Sequence, residues 1–232
     1  KIEIIVTPAI TVLTGVFVAN FVGPIIGNFM NFLGTIIINA TEKAPFFMGI
    51  IVSVVVGIVL TLPISSAALS MMLSLSSLAG GAATIGCCCQ MVGFAVMSYR
   101  DNKIEGLVAQ GLGTSMLQMP NIVRKPLIII PPILSSAILE PVSTMVFKLE
   151  NTPLGSGMGT SGLVGQISTF AAMPDVPFTK LLGIILLMHI ILPGLVTFAI
   201  YEVLYRKGLI QDGDTVIFAN FRPDRAQQIA IA

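Results

Sequence analysis

The sequence predicts an all-α integral membrane protein, a helical bundle with re-entrant or broken helices and an inverted repeat. Three observations lead there. Of 232 residues, 55% are hydrophobic and 10% charged, against roughly 25% charge in soluble domains, and the mean hydropathy is +0.96. Long apolar segments recur, with room for about six to eight membrane-embedded stretches of ~20 residues each. Among them lies Glu150–Met173, ENTPLGSGMGTSGLVGQISTFAAM, which holds five glycines, a run of Ser and Thr, and one charge at its start. A chain inside a bilayer leaves helix only where protein or a watery cavity satisfies its backbone. This interruption therefore reads as a candidate substrate-binding element.

The stretch has an echo. Shifted by 76 positions, Leu78–Met97 lies over Leu154–Met173 and eight of 20 positions match, including Thr84/Thr160, Gly86/Gly162, Gln90/Gln166, Phe94/Phe170 and Met97/Met173. Small-residue composition inflates such identity. The spaced T-x-G-x-x-x-Q-x-x-x-F-A-x-M pattern goes beyond composition, and paired Gly-interrupted segments point to a transporter's binding site.

In order, Ile4–Val22 is a spanning helix ended by Gly23-Pro24, and Pro24–Thr41 keeps Asn28, Asn31 and Asn39 among apolar residues. Phe46–Leu62 spans and ends at Pro63. Ile64–Met97 is almost uncharged and broken by Gly80-Gly81, which suits a hairpin of two short arms or two thin helices. Gly106–Met119 is too short to span and stops at Pro120-Asn121. Leu127–Phe147 spans despite its embedded Glu140-Pro141, and Lys180–Tyr205 is the last span. Residues 1–213 form one membrane-embedded domain, and 214–232 a polar, loosely ordered tail.

Charge sorts the loops. With Ile64–Met97, Gly106–Asn121 and Gly155–Met173 treated as re-entrant, Lys1, Arg100, Lys103, Arg124, Lys125, Arg206, Lys207, Arg222 and Arg225 fall on one side. Lys43, Lys148 and Lys180 fall on the other. The cation-rich side is cytoplasmic by the positive-inside rule, and the echoed segments then enter from opposite faces.

Several classes are excluded. A net charge of +1 implies no nucleic acid or other polyanion. Cys87, Cys88 and Cys89 are contiguous, lack disulfide geometry with one another and read as small packing residues. No metal cluster, Ser/His/Asp set or phosphate loop appears, and no cofactor is implied. The chain opens at Lys1 without a charged leader or a small-residue cleavage site, which reads as no signal peptide and as a piece of a longer chain.

The candidate binding residues are the polar groups held at membrane depth. Glu140 sits late in an apolar span, where a carboxylate faces a cavity or partner, or reaches the interface from a helix end. His189, the one histidine, is central in the last span, where it is either a packed core residue or a ligand or proton-handling group. Gln90 and Gln166 each offer a donor and an acceptor, as sugar hydroxyls require. Asn151, Thr160 and Ser161 belong to the Gly-rich stretch. Gln118 and Asn121 flank Pro120 at a helix break and face the same cavity in this reading. Asn20, Asn28 and Asn31 read as helix-packing glue.

FMGIIVSVVVGIVLTLPISSAAL, GAATIGCCCQMVGFAVMSYRDN, the run LVAQGLGTSMLQMPNIVRKPL through ENTPLGSGMGTSGLVGQI, and LMHIILPGL resemble the enzyme IIC proteins of the bacterial phosphotransferase system (PTS). The resemblance is to the group labelled as a regulator of perfringolysin, over about Phe46 to Gly213. It implies a multi-pass permease of the bacterial plasma membrane that binds a sugar from outside. A phosphorylated EIIB, charged by EIIA, then transfers its phosphoryl group to the sugar, which is released inside; the chain takes part in phosphotransfer only with that partner. The resemblance also implies a homodimer, and further membrane helices before Lys1. Better-known IIC branches use a Glu in a T-E-P motif and an intramembrane His; Leu139-Glu140-Pro141 keeps the Glu-Pro of that motif, and His189 matches as a membrane His. Two other readings stand beside a sugar permease: a membrane regulator or sensor that retains the permease fold, and a transporter of a non-sugar solute.

Overall fold

A computed structural model describes residues 3–21 and 23–217. The described residues are helical apart from turns and one isolated bridge between Ser77 and Asn151. Helices α1 (Glu3–Phe21) and α2 (Gly23–Lys43) lie at the edge of the bundle, where α2 packs on α3 (Pro45–Thr61). The centre is α5 (Ser77–Met97), which touches α3, α8 (Ile130–Pro141) and α12 (Leu192–Arg206). Among the described residues, three helical runs are long and apolar enough to cross a membrane: Ser77–Met97, Pro126–Val146 and Phe178–Arg206. They differ in surroundings. The apolar window of α5 is 89% buried in protein and that of the last run 39%, so α5 is enclosed by other helices while the last run keeps a lipid-facing side.

Helix direction follows from the side-chain pairs. Ser53 meets Gly86 and Thr61 meets Gln90, so α3 runs parallel to α5. Thr197 meets Gly93 and Glu202 meets Arg100, so α12 does too. Ser135 meets Cys89 and Pro132 meets Gly93, so α8 runs the other way. At the end where α5 and α12 finish, Arg100 bonds Glu202 at 2.7 Å and stacks 4.1 Å from the Tyr205 ring centroid. Lys103, Arg124, Lys125, Arg206 and Lys207 share this end. Lys43, Lys148 and Lys180 adjoin the α3 start, the α8 exit and the start of the last run, at the opposite end. The charge sorting thus persists among the described residues; Lys1, Arg222 and Arg225 lie outside them, as does the tail from residue 218 on.

The break expected at Gly80-Gly81 is elsewhere. The chain turns at residues 73–76, between the seven-residue α4 (Ser66–Met72) and the 21-residue α5, and the arms are unequal. Gly80 and Gly81 lie inside α5, where a Cβ on Gly80 would come within 2.6 Å of the Asn151 carbonyl and one on Gly81 would strike the Leu149 carbonyl. These glycines permit close backbone approach and do not break the helix. Leu78–Met97 is therefore a continuous helix and not a re-entrant arm. Its echo, Leu154–Met173, is broken into α9 (Pro153–Ser156), a turn with Gly159 and Gly162 at positive φ, and α10 (Val164–Ala172). The two echoed segments adopt different structures.

A different pair enters from opposite ends. From the Arg100 end, α6 (Tyr99–Val108), kinked at Lys103, leads into a π-helical turn over Ala109–Gly113 and a 3-10 turn over Ser115–Gln118. The chain then comes back through α7 (Met119–Arg124). This is the short segment expected not to span. The Gly-rich stretch enters from the Lys148 end. The packed unit also runs past residue 213, because Thr215 is buried and bonded into it.

Candidate functional site

The two broken elements meet at their tips, beside the middle of α5. Thr160 Oγ1 donates to the Gly111 carbonyl at 2.5 Å, and Ser161 Oγ to the Gly113 carbonyl at 2.9 Å. Gly159 makes the approach possible, with a φ of +55° and a Cβ position 2.8 Å from the Cys87 backbone; a side chain there would be both strained and blocked. Ser115 Oγ pairs with Thr61 Oγ1 at 3.0 Å, which ties the first element to α3.

Asn151 anchors the second element at its base. Its Nδ2 faces Thr84 Oγ1 at 2.7 Å, the Gly165 carbonyl at 3.0 Å and Thr169 Oγ1 at 3.2 Å, and its Oδ1 accepts from Thr152 N at 2.8 Å. The amide is thus fully engaged by the fold, and it binds the start of the stretch to α5 and to α10. From sequence, Asn151 either caps the following turn or offers its oxygen to a ligand. Here it holds the element that a ligand would meet.

Gln166 and His189 come together. Gln166, on α10, places Nε2 3.3 Å from His189 Nδ1 and 3.6 Å from Cys88 Sγ, while its Oε1 is buried without a partner. His189 lies in a π-helical turn, Leu186–Ile191, between α11 (Phe178–Ile185) and α12 in the last run. Such a turn widens the helix by a residue and is frequent at functional sites. Both side chains are buried.

Glu140 forms a second polar centre. Its Oε1 accepts from Thr144 Oγ1 at 2.7 Å, Oε2 is buried and unpartnered, and the carboxylate lies against Gly49 of α3. Ser53, one turn along α3 from Gly49, and Ser143, three residues past Glu140, also hold buried hydroxyls without partners. Buried polar groups are overwhelmingly paired, so this set and Gln166 Oε1 stand out. Glu140 and His189 do not touch. Glu140 lies against Gly49 of α3, and His189 against Gln166 of α10, so the two centres are held by different neighbours.

A family model described as phosphotransferase system, EIIC, matches residues 1–217. The chain belongs to that family. No curated protein and no solved structure matches it. It is an integral membrane helical protein and the membrane permease component of a PTS, and the family implies EIIB and EIIA proteins and a sugar substrate as its partners.

The EIIC helices place the remaining expected residues outside both centres. Gln90 accepts from Thr61 Oγ1 at 3.4 Å, on the α3 face of α5, with Nε2 unpartnered. Asn121 lies at the Arg100 end and donates to Gln118 Oε1 at 2.8 Å and to the Val216 carbonyl at 2.9 Å. Gln118 donates to the Thr215 carbonyl. These two amides therefore secure residues 215–216 and do not line a central cavity. A cavity of about 350 Å³ beside the tips is lined by Val92, Val96, Leu112 and Leu163, with Thr160, whose hydroxyl is spent on Gly111; its walls offer a sugar little to bond. Sequence reading missed Ser53 and Ser143. Their one signal is spacing, Ser143 three residues after Glu140 and Ser53 a turn from the glycine that faces it.

Proposed function

We propose that this EIIC domain binds a sugar beside α5 and moves it by alternating access, with the broken elements 109–118 and 153–172 as the moving parts. The observation that carries this reading is their tip-to-tip meeting, two hydroxyl-to-carbonyl bonds where two chains from opposite ends abut. Separation of the tips exposes bare backbone groups together with Thr160 and Ser161. Gln166 and His189 form the nearest paired amide and imidazole, and Glu140 supplies the carboxylate beside α3. Asn151 and Asn121 shape the site through the elements they hold, and Gln90 borders the Glu140 side. A phosphorylated EIIB docks at the Arg100 end and transfers its phosphoryl group to the bound sugar, which leaves on that side as its phosphate.

In this reading the chain is multi-pass in a bacterial plasma membrane, works as a homodimer and falls within the perfringolysin-regulator group, on the strength of the NTPLGSGMGTSGLVGQ run. The Arg100 end is cytoplasmic, supported by six cations there against three opposite among the described residues. Membrane vesicles test both parts. With EIIA, EIIB and a phosphoryl donor present, one member of a labelled sugar panel should accumulate as its phosphate. Failure of every sugar, with fold and partners intact, would favour a sensor or a carrier of another solute. Single cysteines at Arg100, Arg124 or Arg206, with Cys87, Cys88 and Cys89 replaced, should react in cells only with permeant reagents. Labelling by an impermeant one reverses the orientation.

A further inference from the structure

The polypeptide after α12 returns across the Arg100 end as a short strap, residues 211–217, and its attachments are almost entirely polar. Asp101 accepts from Gly213 N at 3.0 Å, Thr215 N at 3.2 Å and Thr215 Oγ1 at 2.6 Å. Asn102 donates to the Thr215 carbonyl at 2.8 Å and accepts from Ile217 N at 2.9 Å. Gln118 donates to the same Thr215 carbonyl at 3.1 Å, Asn121 to the Val216 carbonyl, and Lys125 pairs with Asp214 at 2.5 Å. Thr215 is 1% exposed, with its amide, hydroxyl and carbonyl all engaged.

The positions of these partners matter more than their number. Asp101 and Asn102 precede the broken element 109–118, and Gln118, Asn121 and Lys125 follow or close it. The strap therefore bridges the foot where the chain enters the bundle and the foot where it leaves. Between strap and exit foot lies a cavity of about 630 Å³ that Thr114, Leu117 and Asn121 line on one side and Gly213 and Val216 on the other. The two are joined by directional bonds across a loosely filled space. Such a joint holds one geometry while closed, and its firmest attachments are the bonds to the Asp101 carboxylate and the Lys125–Asp214 pair.

We infer that residues 211–217 are a latch that clasps both feet of element 109–118 and sets how readily its tip parts from the Gly-rich tip. This rests on the reading of that element as a moving part, and it assigns control of the motion to a segment outside the membrane core. Release of the strap frees the feet, and the Gly111 and Gly113 contacts then open more often.

Hydrogen exchange on the purified full chain in detergent tests this without any sugar, so its outcome is independent of the transport assay. Thr215→Val removes one bond with little change of shape, and Asp101→Ala removes three. In both, amides of 109–118 should exchange faster, by about tenfold in the stronger variant, while those of 77–97 keep the parental rate. If the strap amides speed up and 109–118 does not, the strap is packing and the proposal fails. Equal acceleration in 77–97 also overturns it, because the effect is then global. Should Asp101→Ala fail to fold, Thr215→Val alone decides between these outcomes.

Discussion

Glu140→Gln is expected to lower sugar affinity about 10- to 150-fold, or roughly 1.5–3 kcal/mol, the range for a bond to a charged group. The carboxylate is buried between α8 and α3 with one oxygen on Thr144 and the other unpartnered. A lone acceptor at that depth is costly unless something donates to it, and two vicinal sugar hydroxyls do so with charge assistance. Glutamine preserves the volume and the oxygen that takes the Thr144 hydroxyl, so the fold should persist. Equilibrium binding of the transported sugar, with the thermal unfolding midpoint measured beside it, separates loss of ligand from loss of structure. Parental affinity in Glu140→Gln removes this residue from the site.

Gly86→Leu is expected to prevent assembly of the bundle. A Cβ at Gly86 lands on the Ser53 carbonyl, and Gly57, on the facing helix, has its Cβ position 2.8 Å from the Gly86 carbonyl. The α3–α5 contact is thus backbone on backbone, with no flexible side chain to yield. Overpacking costs typically 1–3 kcal/mol even where side chains adjust, so about 3 kcal/mol or more is expected here, enough to leave little folded protein. Leu195→Met, on the exposed side of α12, is the control. The readout is monodisperse yield after detergent extraction, and equal yields for the two variants would contradict this account of the contact.

The spans Leu127–Phe147 and Lys180–Tyr205, the charge sorting and the break at Glu150–Met173 were legible because each rests on local composition, whereas Phe46–Leu62 forms a shorter helix and Ser77–Met97 an unexpected long one. The pairing of the broken elements was not. Thr84 and Thr160 align in the echo, yet Thr84 accepts from Asn151 within a continuous helix while Thr160 caps a tip. Gly80-Gly81 and Gly157–Gly165 look alike as sequence, since a glycine that breaks a helix and one that admits a neighbouring backbone differ only in what lies opposite. Gln118 and Asn121 were placed at the binding cavity, whereas they hold residues 215–216 at the Arg100 end, because their acceptors lie about 95 residues later in the chain. Gln166 and His189 were each named as candidates, but their contact across 23 residues, and the seat of Glu140 against Gly49 of α3, have no sequence signature.

The unequal arms before α5 also bear on biosynthesis. With seven residues, α4 is about 10 Å long, a third of a ~30 Å hydrocarbon core, and it cannot lodge there alone. Ser65 caps its start through Ala68 N, and α2 and α3 cover one flank. The other flank belongs to Gly157, whose carbonyl takes the Ser66 hydroxyl at 2.6 Å across 91 residues of chain. At about 5–20 residues per second of synthesis, that partner emerges roughly 5–20 s after Ser66. Through that interval the half-length helix sits in the nascent protein with one side unmet, and a ribosome-bound chain stopped at residue 150 should remain open to protease near Ser66–Met72. The glycine-rich turn therefore completes a packing site begun 91 residues upstream.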